Sequence, residues 1–245
     1  MKRFQEGFYN DFMMIYWQLY WILSKLVIST DYWLSSCLQT NEVTNTLLFI
    51  FAFVHIGSQK YLREVFQLTC VGWSGRDKQA RSPNVVEMTQ RFNRTSFWAI
   101  SVILQTQNLK RRVEVLAQFI RIARKLYDFS NYHGMLAIIS ALRHVSIDRL
   151  TDTWSRISRA DKKHFEILSK YVPEGDGHQL LREKFEAIQL PCIPHLGLFL
   201  KELTYIDVAN PIENGVEPES RIMKMNNILR LIRWEIAANT TTNHF

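Results

Sequence analysis

Seven histidines, three cysteines and a set of scattered carboxylates are the residues of this chain whose types could support acid–base, nucleophilic or metal chemistry. Their spacing assembles none of it. His133, His144, His164, His178 and His195 fall in separate segments and show no metal-ligand spacing. No Cys or Ser lies beside one of them with a third orienting group that would complete a nucleophilic triad. Cys37, Cys70 and Cys192 lie far apart, form no C-x-x-C pair and read as reduced thiols of a cytoplasmic protein. Glu213 and Glu217 are the kind of carboxylate pair that general acid–base work needs, but they sit in a polar loop where both are solvated. The phosphate-cradling G-x-x-x-x-G-K-[ST] loop, G-x-G-x-x-G, H-E-x-x-H and G-x-S-x-G are all missing. The expectation is no cofactor, no metal and no bond-making. A helical binding module, or a protein that remodels another protein, is left.

The elements that would position such a surface are helices. Between Asn108 and Phe129, Leu109, Val113, Leu116, Ile120, Ala123 and Tyr127 recur at steps of three and four, the mark of a helix with a broad buried face. Ser82-Pro83-Asn84 marks another start, with Ser82 as the cap and Pro83 in the first turn. Met135 to Leu142 is short and almost wholly apolar, so it must be central. Asp161-Lys162-Lys163 opens a helix that ends before the loop Pro173-Glu174-Gly175-Asp176-Gly177. Leu196 to Ile206 forms a further apolar helix, and a last one carries Ile222, Met225, Ile228, Leu229 and Ile232. No useful segment alternates with period two and no repeat is visible, so the fold class is all-α.

With 245 residues, 47% of them apolar, and 22% charged, the chain is long enough to bury a sizeable core without a metal or disulfide staple. The formal charge of +7 favours acidic partners without choosing among them. Its densest run, Lys110-Arg111-Arg112, is too short for a nucleic-acid footprint and reads as a solvated helix face, so no nucleic-acid partner is expected. Residues 1–57 stand apart as an aromatic-rich apolar segment, with Phe12-Met13-Met14-Ile15-Tyr16-Trp17 and Leu19-Tyr20-Trp21-Ile22-Leu23. Asp11, Gln18 and Lys25 interrupt the first apolar run, and the second, Leu47 to Val54, is too short to span a bilayer. A buried aromatic helix pair, a membrane-surface or spanning segment centred on residues 8–28, and sequence outside the folded domain all stay open.

Several blocks of the remainder, residues 58–245, follow one another in a familiar order. Ser82-Pro83-Asn84, Arg91-Phe92-Asn93-x-x-Ser96-Phe97-Trp98, Asn108-Leu109-x-x-Arg112 and Phe119-Ile120-x-Ile122-Ala123 come first. Ser140-Ala141-Leu142, Arg149-Leu150-Thr151-x-Thr153-Trp154, Pro191-x-Ile193-Pro194-x-Leu196-Gly197 and Asn210-Pro211 follow. Together they resemble the catalytic domain of Ras-family guanine nucleotide exchange factors. Met225-Asn226-Asn227-Ile228-Leu229-Arg230 is closest to the Ral-directed members.

The resemblance implies a helical bowl that grips the switch II segment of a Ras-family small GTPase (Ral, Rap or Ras), with a helical hairpin that pries the nucleotide site open. No covalent chemistry is involved. It implies a cradle lined by Val86, Thr89, Gln90 and Asn93, by Leu136, Ser140 and Arg143, and by His178 and His195. It implies a wedge built on Thr204, Val208 and Lys224. The chain departs from the Ras-directed pattern where Gln90 replaces an arginine, Arg143 an asparagine, His195 an aromatic and Val208 a carboxylate, with Asp207 the neighbouring acid that could substitute. Trp98 and Trp154 are expected in the core, and Arg149 beside a buried acceptor. The resemblance also implies a returning arm of the hairpin beyond the last helix, which is missing before Phe245.

Overall fold

The computed structural model describes residues 65, 72–172, 179–187, 193–213 and 215–240, with side chains described for all of these except 186 and 230–240. All of them belong to the unit Ala52–Phe245. The three readings of residues 1–57, the cysteines, the loop of residues 173–178 and His178 lie outside the described residues.

The described residues form ten helices: α1 (Lys78–Arg81), α2 (Pro83–Gln105), α3 (Leu109–Asp128), α4 (Tyr132–Leu142), α5 (Val145–Asp148), α6 (Thr151–Ser155), α7 (Arg159–Ser169), α8 (Gln179–Ala187), α9 (Leu196–Ala209) and α10 (Glu219–Thr240). Two isolated bridges are the only β pairing among them, which makes the domain all-α. No described helix is long and apolar enough to cross a membrane.

Helix starts follow side-chain oxygens. Asn108 Oδ1 accepts from the Arg111 N–H at 3.0 Å to begin α3, and Asn131 Oδ1 accepts from Gly134 at 2.9 Å to begin α4. Ser158 Oγ accepts from the Asp161 N–H at 3.1 Å and donates to Asp161 Oδ2 at 2.7 Å. That exchange places the start of α7 at Arg159, two residues before the acid that marks it in the sequence. Ser82 precedes α2 but makes no side-chain capping bond; its own N–H closes α1 on the Lys78 carbonyl. Pro83 is therefore what starts α2, because its ring holds φ at a helical value and it has no N–H to leave unsatisfied.

α4 is the keel of the domain, with ten of its eleven residues buried. α2 runs alongside it in parallel register: Phe92 meets the His133 ring edge-on at 5.3 Å, and one turn later Ser96 Oγ donates to the Ala137 carbonyl at 2.7 Å. α3 reaches α4 through a tight reversal in which the Asn131 N–H returns to the Leu126 carbonyl and the Ser130 N–H to Tyr127. Ser130 takes φ 56°, a left-handed value that usually calls for glycine at this point of a helix end.

α7 lies along α3, tied by the Arg121–Asp161 ion pair at 3.2 Å and the Tyr127–Tyr171 hydroxyl pair at 2.9 Å. Arg112 donates to Thr153 Oγ1 at 3.0 Å and to the Thr106 carbonyl at 3.1 Å. The basic run is thus not wholly a solvated face: Lys110 and Arg111 are exposed, while Arg112 turns inward to hold α6. Trp98 meets Phe119 edge-on at 5.3 Å, and Trp154 packs at a tilt against Phe165, 4.7 Å between centroids, while its indole N–H donates to the Ile147 carbonyl. Both are half-buried packing residues. Arg149 is exposed rather than set against a buried acceptor, and it stands at the end of the short α5.

Candidate functional site

Ile193 is the residue that assembles the site. Its carbonyl accepts from the Tyr132 N–H at 2.9 Å and the His133 N–H at 3.2 Å, and its own N–H donates to Ser130. The first N–H groups of α4 have no partner within their helix, so a passing strand-like residue that satisfies two of them is held firmly. This docking brings His195, two residues on, beside α4 and α2. The His195 ring lies 5.2 Å from Phe92 and 5.6 Å from His133. Gly197 leaves room for it, since a Cβ there would sit 2.8 Å from His195 Nε2. Three stretches that are remote in the sequence thus meet around one ring cluster.

His133 is buried, and burial, followed by the charge of neighbouring His195, pushes its imidazole well below the ordinary range. Its hydrogen bond to the Met88 backbone acts in the opposite direction and is too weak to restore it. His133 is therefore a neutral structural ring at physiological pH, and its burial makes it a poor proton carrier.

The sequence-predicted cradle residues divide by exposure. Thr89, Gln90 and Asn93 are exposed on one face of α2, and Phe97, 63% exposed, extends that face by another turn. The Thr89 hydroxyl donates to the Val85 carbonyl of its own helix. Val86 and Leu136 are buried, Leu136 at 1% exposure, which gives both a packing role in this state. Ser140 is half-buried on α4. Arg143, just past α4, donates to the Ser169 carbonyl at 3.2 Å and so joins the ends of α4 and α7.

The residues expected in the wedge form a second group at the far end of α9. From His195 to Val208 the helix rises about 20 Å, so α9 acts as a ruler between the two groups. The Thr204 hydroxyl is satisfied by the Leu200 carbonyl at 2.8 Å. Val208 is 75% exposed, and Lys224 reaches Asn210 Oδ1 at 3.5 Å. Asp207 does not stand open as a carboxylate: it is ion-paired with Arg221, which also donates to Glu217 Oε1 at 2.8 Å. No group of three or more His, Cys, Asp or Glu side chains able to hold a metal is found among the described residues.

Two contributors were not singled out by sequence reasoning. Phe97 lies within a quoted motif, and its exposure depends on which face of α2 meets α4. Arg221 carries one legible signal, the i, i+4 spacing from Glu217, but nothing in the sequence marks a charged residue as 1% exposed.

The profile of the RasGEF domain matches residues 32–228. The match begins inside the aromatic-rich segment for which the quoted motifs offer no counterpart. The chain is 44% identical over 168 residues to chicken (Gallus gallus) "Ras-specific guanine nucleotide-releasing factor RalGPS1", covering 68% of this chain and 29% of that relative. The human (Homo sapiens) RalGPS2 factor matches at 44% over the same shares. "Ras guanine nucleotide exchange factor P" of Dictyostelium discoideum is 32% identical over 173 residues, 69% of this chain and 11% of its own length. The chain thus spans about three tenths of the RalGPS relatives it matches.

Proposed function

This chain belongs to the RasGEF domain family, and on that premise we propose that it promotes GDP release from a Ras-family small GTPase, with Ral as the preferred partner. The observation that carries the reading is the convergence of α2, α4 and His195 around the Phe92–His133–His195 cluster. The switch II cradle needs one continuous face, and it needs those three stretches together. The RalGPS in the relatives' names supports Ral, while "Ras-specific" in the same names keeps Ras as the alternative that the release assay separates.

In this reading the chain makes and breaks no covalent bond. It binds the nucleotide-free GTPase more tightly than the loaded one, which stabilises the opened state and lowers the barrier to release in both directions. The exposed α2 face with Thr89, Gln90, Asn93 and Phe97, together with Ser140 and His195, meets switch II. His178 joins this face by resemblance alone. Val208 and Thr204, at the end of α9, press on the nucleotide side, with Lys224 beside them. Val208 carries no charge and Asp207 is engaged by Arg221, so displacement of Mg²⁺ is steric rather than by a competing carboxylate.

The test is nucleotide release. Ral, Rap and Ras, each loaded with fluorescent GDP, are mixed with the chain under excess GTP. Ral is expected to release at least about tenfold faster than alone, a barrier lowered by about 1.4 kcal/mol. Failure to accelerate any of the three would remove the exchange reading. The engaged Asp207 also favours a second reading, a GTPase-binding module that does not exchange. It predicts capture of the GTPase in a pull-down with an unchanged release rate.

A further inference from the structure

Arg221 is the one charged residue among the described side chains to fall below 2% exposure. A guanidinium stripped of water at that depth is tolerated only when its donors meet fixed acceptors. Nε and Nη1 of Arg221 find them at the end of α9 and in the loop just before α10, while Nη2 is buried without a hydrogen-bond partner. Its Nη1 pairs with the Asp207 carboxylate and lies 3.4 Å and 3.3 Å from the carbonyl oxygens of Asp207 and Asn210; Nε donates to Glu217 at 2.8 Å. Those two carbonyls belong to the end of α9, where the last acceptors lack partners within the helix and the helix dipole is negative. Arg221 itself stands in the first turn of α10. One side chain therefore closes the end of α9 from the beginning of α10. A second tie runs through Asn210 Oδ1, which accepts from Ser220 Oγ at 3.1 Å and from Lys224.

The residues nearest this joint are open to solvent, while buried apolar side chains on the two helices, Leu203 and Ile228, lie further from it. Tyr205, Val208, Ile212, Val216 and Met223 are all exposed, Val208 and Val216 at 70% or more. At the turn itself, the polar ties from α10 to the end of α9 are those of Arg221 and of Asn210 with Ser220 and Lys224.

We propose that Arg221 is a positioning residue: it ties the first turn of α10 to the end of α9 through Asp207 and the Asn210 carbonyl, with Glu217 holding the guanidinium from the α10 side, and so keeps Lys224 and Val208 in the relative orientation that opens the GTPase. This rests on the exchange reading above. Its fork geometry matters as much as its charge, because a lysine meets one acceptor set but not the diverging pair.

The experiment has two arms. In the first, release of fluorescent GDP from Ral is titrated with wild type, Arg221→Met, Arg221→Lys and Glu217→Gln. Arg221→Met is expected to lower the maximal release rate about tenfold while the half-saturating concentration changes less than about threefold, the signature of lost transition-state stabilisation. Arg221→Lys should recover part of that loss. Glu217→Gln, which alters the more exposed partner, should give a smaller fall in the same direction and covers the case in which Arg221→Met does not fold. In the second arm, amide hydrogen exchange is read without any GTPase. Residues 207–224 should exchange faster in the variants while α2 and α4 keep their protection. Unchanged protection at the joint overturns the proposal, as does a loosened joint with a wild-type release rate. If wild type accelerates no GTPase, the exchange reading fails. The second arm then still decides the joint, faster exchange supporting it and unchanged exchange overturning it.

Discussion

At the scale of single residues, His133 shows how burial turns a titratable group into a stability term. Its folded pKa lies well below the unfolded value, burial being the largest cause and the charge of His195 the next. Below about pH 6.5 the unfolded chain therefore binds a proton that the folded chain refuses, and stability falls as pH falls, by up to about 1.4 kcal/mol per pH unit for one such group. Asp161 has its folded pKa lowered: burial raises it, but hydrogen bonds from Arg121 and Ser158 and the charges of Arg121 and His164 prevail. Its contribution is lost only under stronger acid, below about pH 3.9. Urea midpoints between pH 7 and 5 should consequently decline in wild type and flatten in His133→Phe. An equal slope in both would refute this assignment. The sequence shows His133 only as one scattered histidine, because nothing local distinguishes a ring that ends up beneath Phe92 from one in solvent.

At the scale of elements, most helices were legible because periodicity and capping chemistry are local. Asn108 and Asn131 start α3 and α4 with their own side chains, and the apolar run of Met135 to Leu142 marked a central helix. The misreadings also have local causes. Ser82 has the right residue type for a cap, but its backbone is committed to closing α1, and the true start of α7 needed the reciprocal Ser158–Asp161 bonds. The α3–α4 reversal supports a prediction at this scale. Ser130 holds a left-handed conformation that costs a residue with a Cβ about 1–2 kcal/mol. Ser130→Gly should raise the unfolding free energy by about 0.5–1 kcal/mol, after the larger unfolded-state entropy of glycine is set against the relief. A lower melting temperature in that variant would contradict the account.

At the scale of the whole molecule, α4 is contacted along its length by α2 and α3, with Ile193 across its first turn. Leu136 lies at the middle of it. Leu136→Ala is expected to cost about 2–5 kcal/mol of unfolding free energy, measured by urea denaturation, because neighbours on several elements cannot all close on the cavity. Weak GTPase binding by a Leu136 variant would then report a loosened core, whereas variants of the exposed Gln90, Asn93 or Phe97 should change binding with little change in melting. This separates a packed residue from a docking residue even though both recur at helical spacing.

By itself the sequence determined the all-helical architecture, the order of the six longest helices and the set of blocks that place the chain in its family, since these rest on interactions between residues close along the chain. It named Thr204, Asp207 and Val208 as one group through the family resemblance, and the three do fall within about one turn of α9. Only the tertiary structure decided that Ile193 pairs with the start of α4, that His195 thereby meets Phe92 and His133, and that Asp207 is committed to Arg221. Burial and ion pairing are properties of surfaces brought together from distant positions. A carboxylate one residue from the expected place looks available in a string of letters until the opposing helix is found to carry its counter-ion.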